Sequence, residues 1–155
     1  GAGLRFALDT SGPALKAALK AGVTLIKPNL REFRDLTGAP SAATDALVSA
    51  GRRFIDSGAV ETIALTLGAD GALLMDRSGV LRADALDITP TSVVGAGDSF
   101  LGALVQALAA GGSPQEALQA GVAAGSAALM HPGTELCRAE DVARLRPRVA
   151  VRRLA

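Results

Sequence analysis

The chain has 155 residues, of which 49% are hydrophobic and 20% charged, and its formal net charge is +1. This balance excludes a disordered chain, and the absence of Trp and Tyr argues against nucleic acid as a partner. A single cysteine (Cys137) and a single histidine (His131) exclude an internal disulfide and a Cys/His metal cluster, which fits a reducing cytoplasm, and no pattern predicts a membrane span or a signal peptide.

The first half of the chain alternates between strand and helix patterns. Short apolar runs bounded by Asp, Gly or Pro predict strands, and apolar residues spaced three or four apart predict helices. The predicted elements are a strand at 4–8, a helix from Pro13, a strand at 23–26, a helix after Asn29 that ends near Gly38, a helix from Ser41 or Ala43 to Gly58, and a strand at 62–67.

The second half begins with a predicted hairpin and continues with helices. The predicted elements are turns at 68–71 and 76–79, strands at 72–75, 80–82 and 86–88, and helices at 98–110, from Ser113 to about 131, and at 139–145. The arginine-rich segment that follows is interpreted as a solvated C-terminal tail.

The order of these elements predicts an α/β fold. Strands that alternate with helices usually pair in parallel, so we expect a mostly parallel sheet flanked by helices, with a mixed antiparallel portion around residues 72–88. In such sheets ligands bind beyond the carboxyl ends of the strands. Candidate binding residues are those that follow predicted strands: Asp9, Lys27, Asn29, Glu32, Thr66 and Gly68.

The segment Gly95-Ala-Gly-Asp98 stands before a predicted helix. A dinucleotide-binding loop is disfavoured because Phe100 occupies the place of its third glycine. A Walker A loop is absent because no lysine follows Lys27. Two interpretations remain: Asp98 caps its helix, or the glycines and the helix start form a phosphate cradle in which Asp98 accepts a proton. The cradle is favoured because a cap does not require two preceding glycines.

The segment from Lys27 to Glu32 has two interpretations that stay open. Asn29 followed by Glu32 has the spacing of a capping box, which requires no functional role. The same amide and carboxylate, with Lys27, follow a strand and could face a polyphosphate and its Mg²⁺. Thr66 to Gly71 is likewise either a hairpin turn or part of a nucleotide site.

Three segments resemble motifs of a known family, the PfkB carbohydrate kinases of the ribokinase-like fold. VVGAGDSFLGAL resembles the C-terminal signature of that family, LIKPNLREFRDLTG its Lys-Pro-Asn-x-x-Glu segment, and LTLGADGALL its nucleotide-side strand and turn. The segment GVAAGSAALMHPGTELC is more similar to the 6-phosphofructokinase branch than to the 1-phosphofructokinase branch. The resemblance implies that residues 1–155 are the C-terminal portion of one kinase domain, without its N-terminal half and β lid.

The resemblance also implies a role for each matching residue. Asp98 would be the catalytic base that acts on the substrate hydroxyl, and Gly95, Ala96 and Gly97 would form the anion hole. The other implied roles are Lys27 and Asn29 beside the ATP phosphates, Glu32 and Asn29 at Mg²⁺, Thr66, Gly68 and Gly71 along the nucleotide, Asp9 near the substrate, and Ala124, Gly125 and the loop around His131 to Gly133 near the adenine and a K⁺ site.

The activity that the resemblance implies is ATP-dependent phosphorylation of a sugar phosphate. Fructose 6-phosphate is the favoured substrate, 1-phosphofructokinase or tagatose-6-phosphate kinase activity is the alternative, and a homodimer is expected for the full-length protein. A nucleotide-binding fragment without catalysis is the alternative of a different class. Val93, His131 and Glu135 depart from the family pattern: the first replaces a common threonine, and the others stand in place of an amide and an arginine.

Overall fold

The computed structural model describes residues 5–132 and 136–155, and it confirms the α/β class. The helices and strands are, in chain order, β1 Ala7–Leu8, α1 Gly12–Ala21, β2 Val23–Ile26, α2 Leu30–Thr37, α3 Thr44–Asp56, β3 Val60–Thr66, β4 Ala72–Asp76, β5 Gly79–Ala83, α4 Ala96–Ala109, α5 Pro114–Leu129, α6 Ala139–Leu145 and β6 Val151–Leu154. Short 3-10 turns occupy Gly68–Asp70 and Arg146–Arg148. In the described part of the chain, none of these helices has the length and apolar character needed to cross a membrane.

The described strands form a six-stranded sheet in the order β1-β2-β3-β4-β5-β6. The first three pair in parallel, with Ala7 opposite Leu25 and Leu25 opposite Thr62. Parallel pairing brings the carboxyl ends of β1, β2 and β3 to the same edge of the sheet. The residues that follow these strands are therefore neighbours in space, as the sequence predicts.

The connection between β4 and β5 is a two-residue hairpin turn. The Oδ1 atom of Asp76 accepts hydrogen bonds from the N–H of Ser78 at 2.7 Å and of Gly79 at 3.1 Å, which closes the turn. Strands joined in this way are antiparallel. The mixed portion predicted around residues 72–88 is confirmed by this hairpin.

Residue contacts divide the chain into two compact units. The first contains the described residues up to Gly68 together with Leu73–Val80 and Leu154–Ala155, and the second contains Ala69–Ala72 and the described residues from Leu81 to Arg153. The first unit has a continuous apolar core drawn from its helices and strands. Its core residues are Leu15, Leu19, Val23, Ile26, Phe33, Ala39, Leu47, Ala50, Ile55, Val60, Ile63, Leu65, Leu73, Met75 and Val80.

In the second unit, α4 and α5 pack closely because small residues line the contact. A Cβ atom added at Gly121 would lie 3.1 Å from two ring carbons of Phe100, and one at Gly125 would lie 3.2 Å from the carbonyl oxygen of Ala96. The helix α5 begins with the capping box that its sequence predicts, since Ser113 and Glu116 each accept from the other's backbone N–H. Glycine at these contacts lets the two helix backbones approach closely.

Several expectations for the ends of elements are wrong. Residues 86–88 form no strand, because the position beside β5 is taken by β6. Part of the arginine-rich tail is accordingly a strand, Val151–Leu154, although Arg152 and Arg153 within it are exposed to solvent. The helix α4 begins at Ala96 and not at Asp98. The strand β1 is confined to Ala7–Leu8, and residue 4, where the predicted strand begins, lies outside the described residues.

Candidate functional site

Lys27 and Asp9 form an ion pair at the carboxyl ends of β1 and β2. The ammonium nitrogen of Lys27 lies 3.0 Å from Asp9 Oδ2, and the two side chains are 7% and 33% exposed. A buried ammonium requires an anionic partner, and removing that partner is strongly destabilising. The charge of Lys27 is therefore compensated by Asp9, and a phosphate at this position would share the ammonium with that carboxylate.

Asn29 and Glu32 form the capping box that opens α2, so the structural interpretation of this pair is confirmed. Asn29 Oδ1 accepts from the N–H of Glu32, and Glu32 Oε2 accepts from the N–H of Asn29, both at 2.9 Å. Towards other described residues, Asn29 Nδ2 and Glu32 Oε1 form no hydrogen bond. The box thus fixes both side chains and leaves one polar atom of each for a ligand.

Thr66 lies beside Asn29 at the same edge of the sheet. The two residues form an isolated parallel bridge, and the N–H of Thr66 donates to the carbonyl oxygen of Pro28 at 3.1 Å. Asn29 follows β2 and Thr66 is the last residue of β3, so this bridge continues the parallel pairing of the two strands towards their carboxyl ends. The structure therefore brings together Asp9, Lys27, Asn29, Glu32 and Thr66, as the order of strands predicts.

The N-terminus of α4 presents backbone N–H groups without side-chain caps. Gly95 is the N-cap residue, and its positive φ of 80° is a conformation that favours glycine. The first helical hydrogen bond runs from the N–H of Ser99 to the carbonyl oxygen of Gly95 at 2.9 Å. The N–H groups of Ala96, Gly97 and Asp98 precede it and have no partner within the helix. Such a helix start is a natural position for an anion.

Asp98 lies in the first turn of α4 with an exposed side chain. Its carboxylate forms no hydrogen bond with the described residues, and Gly95 occupies the N-cap position. The interpretation of Asp98 as a simple cap is therefore wrong. Next to it, the hydroxyl of Ser99 is buried and has no hydrogen-bond partner in the described ranges. The carboxylate of Asp98 is thus available to a group bound at the helix start.

Ala124 and Gly125 lie on α5, opposite the start of α4. Ala124 is fully buried, and Gly125 faces the carbonyl oxygen of Ala96 at the distance given above. Gly125 therefore packs against the Gly95–Asp98 segment. The assignment of both residues to an adenine or K⁺ site stays a prediction.

The turn between β3 and β4 contains two glycines with positive φ angles, so the turn interpretation of Gly68 to Gly71 is confirmed. Gly68 has a φ of +62° and open space around its Cβ position. Gly71 has a φ of +89°, and an added Cβ would lie 2.0 Å from the carbonyl oxygen of Ala83. The second glycine is therefore required by close packing. The predicted contact of this turn with a nucleotide stays a prediction.

One polar cluster in the second unit was not foreseen from the sequence. The Nε2 atom of His131, after the end of α5, lies 2.8 Å from Asp141 Oδ2 in α6, and Arg144 donates to Asp141 Oδ1 at 2.6 Å. The hydrogen bond from His131 and the Arg144 guanidinium lower the pKa of Asp141. Gly133, the last residue of the loop predicted to lie near the adenine and cation sites, is outside the described residues, as is Glu135.

The predicted site residues fall into two groups, one in each unit. The first unit holds Asp9, Lys27, Asn29, Glu32, Thr66 and Gly68, and the second holds Gly71, Gly95, Ala96, Gly97, Asp98, Ala124 and Gly125. A shallow surface depression of about 550 Å³ beside α2 includes none of these residues. Within the described ranges, no group of three or more His, Cys, Asp or Glu residues could hold a metal ion.

The donors present nevertheless fit Mg²⁺ bound together with a nucleotide. Magnesium usually retains several waters and is held by one or two carboxylates and the phosphates of its substrate, not by a protein cage. Glu32 Oε1 supplies a carboxylate oxygen of this kind, and Asn29 Oδ1, which accepts one hydrogen bond from the N–H of Glu32, keeps a second lone pair. The fit therefore depends on a phosphate ligand as well as on the protein.

Polar residues at the carboxyl edge of an α/β sheet, in the first unit, and an uncapped helix start beside a carboxylate, in the second unit, are each typical of positions where nucleotides or anions bind. The model of the pfkB family carbohydrate kinases matches residues 4–141. The chain belongs to the PfkB carbohydrate kinase family.

Two curated relatives indicate the branches of the family that this chain resembles. It is 37% identical over 144 residues to the ATP-dependent 6-phosphofructokinase isozyme 2 of Escherichia coli, covering 92% of this chain and 47% of the relative. It is 34% identical over 143 residues to the 1-phosphofructokinase of Borreliella burgdorferi, covering 92% of this chain and 46% of the relative. The chain thus spans about half the length of these relatives.

Solved structures give the same family and fold. The crystal structure of phosphofructokinase-2 from Escherichia coli in complex with potassium matches with a TM-score of 0.90 and 36% identity, over 94% of this chain and 48% of that one. The ribokinase of Arabidopsis thaliana complexed with ribose and ATP matches with a TM-score of 0.74 and 24% identity, over 80% of this chain and 41% of that one. The fold is therefore ribokinase-like.

Proposed function

We propose that this chain is the C-terminal portion of a kinase domain that transfers the γ-phosphoryl group of ATP to a sugar phosphate, with Asp98 as the base. The observation that carries the proposal is the start of α4. An exposed carboxylate without a hydrogen-bond partner in the described chain lies in the same turn as the uncapped N–H groups of Ala96 and Gly97. An anion hole and a base are the two functions that in-line phosphoryl transfer requires of a protein at the reacting group.

In this proposal each part of the helix start has a separate task. The backbone N–H groups at Ala96 and Gly97 bind the oxygens of the transferred phosphoryl group, and the positive end of the helix dipole favours their charge. Asp98 accepts the proton of the attacking hydroxyl. Gly95 sets the direction of the chain into the helix through its positive φ angle.

In the first unit, the residues after β2 supply the proposed contacts with the nucleotide phosphates and Mg²⁺. Lys27 contributes an ammonium that it shares with Asp9. Glu32 would hold Mg²⁺ through Oε1, which the capping box leaves free, and Asn29 through the second lone pair of Oδ1. Bound Mg²⁺ would neutralise charge on the nucleotide phosphates. The capping box orients both side chains before any ligand binds, which reduces the entropy that their ordering would otherwise cost.

The proposed substrate is fructose 6-phosphate. The choice rests on the resemblance of the segment GVAAGSAALMHPGTELC to the 6-phosphofructokinase branch, because the identities to a 6-phosphofructokinase (37%) and to a 1-phosphofructokinase (34%) are similar. Fructose 1-phosphate and tagatose 6-phosphate are the alternatives, and kcat/KM measured with each of the three sugars decides among them. A K⁺ dependence is proposed because a structure of the Escherichia coli relative contains potassium.

The proposal also includes the setting in which the kinase acts. It requires ATP, which places the enzyme in the cytoplasm. A homodimer is proposed for the full-length protein, and the reported tetrameric inhibited form of the Escherichia coli relative supports self-association in this family.

The test of the mechanism is Asp98→Asn in the full-length protein that the proposal requires. Loss of the base should lower kcat by about 10²–10⁴-fold, while the KM for ATP changes little because the anion hole is made of backbone. The matched control is Asp45→Asn, which removes an exposed carboxylate from the first turn of α3 and should leave kcat unchanged. Wild-type turnover in the Asp98→Asn variant would refute the mechanism.

A non-catalytic nucleotide-binding module is the second candidate. It is favoured by the division of the predicted roles, since most of the predicted site residues would contact ATP or its Mg²⁺, and only Asp9 and Asp98 would contact the sugar phosphate. A binding and turnover assay on the 155-residue chain separates the two: the module predicts ATP binding without transfer to any sugar phosphate, whereas transfer by the chain alone would exclude it.

A further inference from the structure

The turn that ends at Gly71 is held against the chain that follows β5. A Cβ atom at Gly71 would lie 2.0 Å from the carbonyl oxygen of Ala83, 2.8 Å from the N of Ala85 and 2.9 Å from the carbonyl carbon of Asp84. The turn and this segment therefore touch through their backbones.

A single arginine spans this contact. The Nη2 atom of Arg82 donates to the carbonyl oxygen of Asp70 at 3.2 Å, and its Nε atom lies 3.4 Å from Asp84 Oδ1. The Arg82 side chain is 19% exposed, so it is largely shielded from water. Its planar guanidinium presents several donors in a fixed arrangement, which a lysine ammonium cannot reproduce. Arg82 thus ties the turn to the segment after β5.

The C-terminal strand extends this network by one step. The Nη1 atom of Arg152 in β6 lies 2.5 Å from Asp84 Oδ2, so the carboxylate of Asp84 is shared by two guanidinium groups. The hydrogen bond from Arg152 is the main cause of the lowered pKa of Asp84. The side chains of Arg152 and Asp84 are 55% and 50% exposed, and exposed ion pairs of this kind contribute little energy. Arg82 is therefore the member on which the turn depends.

We propose that Arg82 is a positioning residue for the nucleotide, because its guanidinium fixes the Asp70 carbonyl and with it the Gly68–Gly71 turn. This inference rests on the proposed function, in which the turn lines the nucleotide. Arg82 itself contacts neither the reacting atoms nor the sugar. Its removal loosens the turn and weakens ATP binding without slowing the phosphoryl transfer of bound substrates.

The experiment compares Arg82→Met with wild type in the full-length protein. The expected result is a rise of about 5- to 10-fold in the KM for ATP, with kcat and the KM for the sugar phosphate each within about twofold of wild type. Amide hydrogen exchange of residues 69–72 should be faster in the free variant. Arg82→Lys should restore little of the ATP affinity, whereas Asp84→Asn, which keeps an oxygen acceptor, should have a smaller effect than Arg82→Met.

The matched control is Arg77→Met, which removes an exposed arginine from the β4–β5 turn. This variant should change neither the KM for ATP nor the amide hydrogen exchange of residues 69–72. An unchanged KM for ATP with unchanged exchange would overturn the proposal, as would equal rises in both KM values. The exchange measurement needs no turnover. If the wild-type protein has no kinase activity, the proposed function is wrong. The role of Arg82 is then still decided by titrating wild type and Arg82→Met with ATP and by comparing their amide hydrogen exchange.

Discussion

Gly71→Ala should be among the most destabilising small substitutions in this protein. The new Cβ would lie 2.0 Å from the Ala83 carbonyl oxygen, well inside van der Waals contact, and the φ of +89° disfavours any residue with a side chain. Such a conformation costs roughly 1–2 kcal/mol, and overpacking against backbone costs roughly 1–3 kcal/mol more. We therefore expect the free energy of unfolding of the full-length protein to fall by about 2–5 kcal/mol.

Gly68→Ala separates the two contributions in the same turn. Gly68 has a φ of +62° but no atom within 4 Å of its Cβ position, so only the conformational cost of about 1 kcal/mol applies. Urea unfolding of both variants, fitted with the wild-type m-value, gives the comparison. Losses that agree within about 0.5 kcal/mol would show that the close approach to Ala83 has no energetic weight, and the reasoning would be refuted.

Two further predictions concern stability. A Cβ at Gly51 would lie 2.9 Å from the sulfur of buried Met75, so Gly51→Ala should cost about 1–2 kcal/mol in urea unfolding, and combining it with Met75→Ala should give a smaller loss than the sum of the two single variants. The lowered pKa of Asp141 means that its stabilising effect is present above its unfolded pKa of about 3.9 and disappears as the pH falls through the lower folded pKa. Asp141→Asn should therefore destabilise the protein at pH 6 but scarcely at pH 2, and an equal loss at both values would contradict the role of its contact with His131.

The sequence predicted best those features that are determined by residues close together in the chain or by the order of the strands. The capping boxes at Asn29 and Ser113 were recognisable because both partners lie within one helical turn. The gathering of Asp9, Lys27 and Thr66 was predictable because parallel strands place their carboxyl ends together. These parts of the fold and of the candidate site follow from spacing and strand order alone.

Features that depend on distant pairing could not be predicted. The segment Val151–Leu154 contains two arginines near the end of the chain, and its charge therefore led to the prediction of a solvated tail. It forms a strand because it pairs with β5, which is distant in the sequence. The contact of Arg152 with Asp84 joins residues 68 positions apart, and no local pattern indicates such a pair. Asp98 was ambiguous for a different reason, since only the backbone shows that Gly95 is the N-cap.

The close packing of α4 against α5 limits which substitutions this region of the protein can accept during evolution. Gly121 and Gly125 already have the smallest side chain and face Phe100 and Ala96 at short range, so every substitution there adds volume. At a site such as Phe33, most substitutions remove volume and leave a cavity. Selection at these two positions of α5 therefore acts against any larger side chain, whatever its polarity. Measuring every substitution at Gly121 and Gly125 should show that apolar and polar residues are tolerated equally poorly.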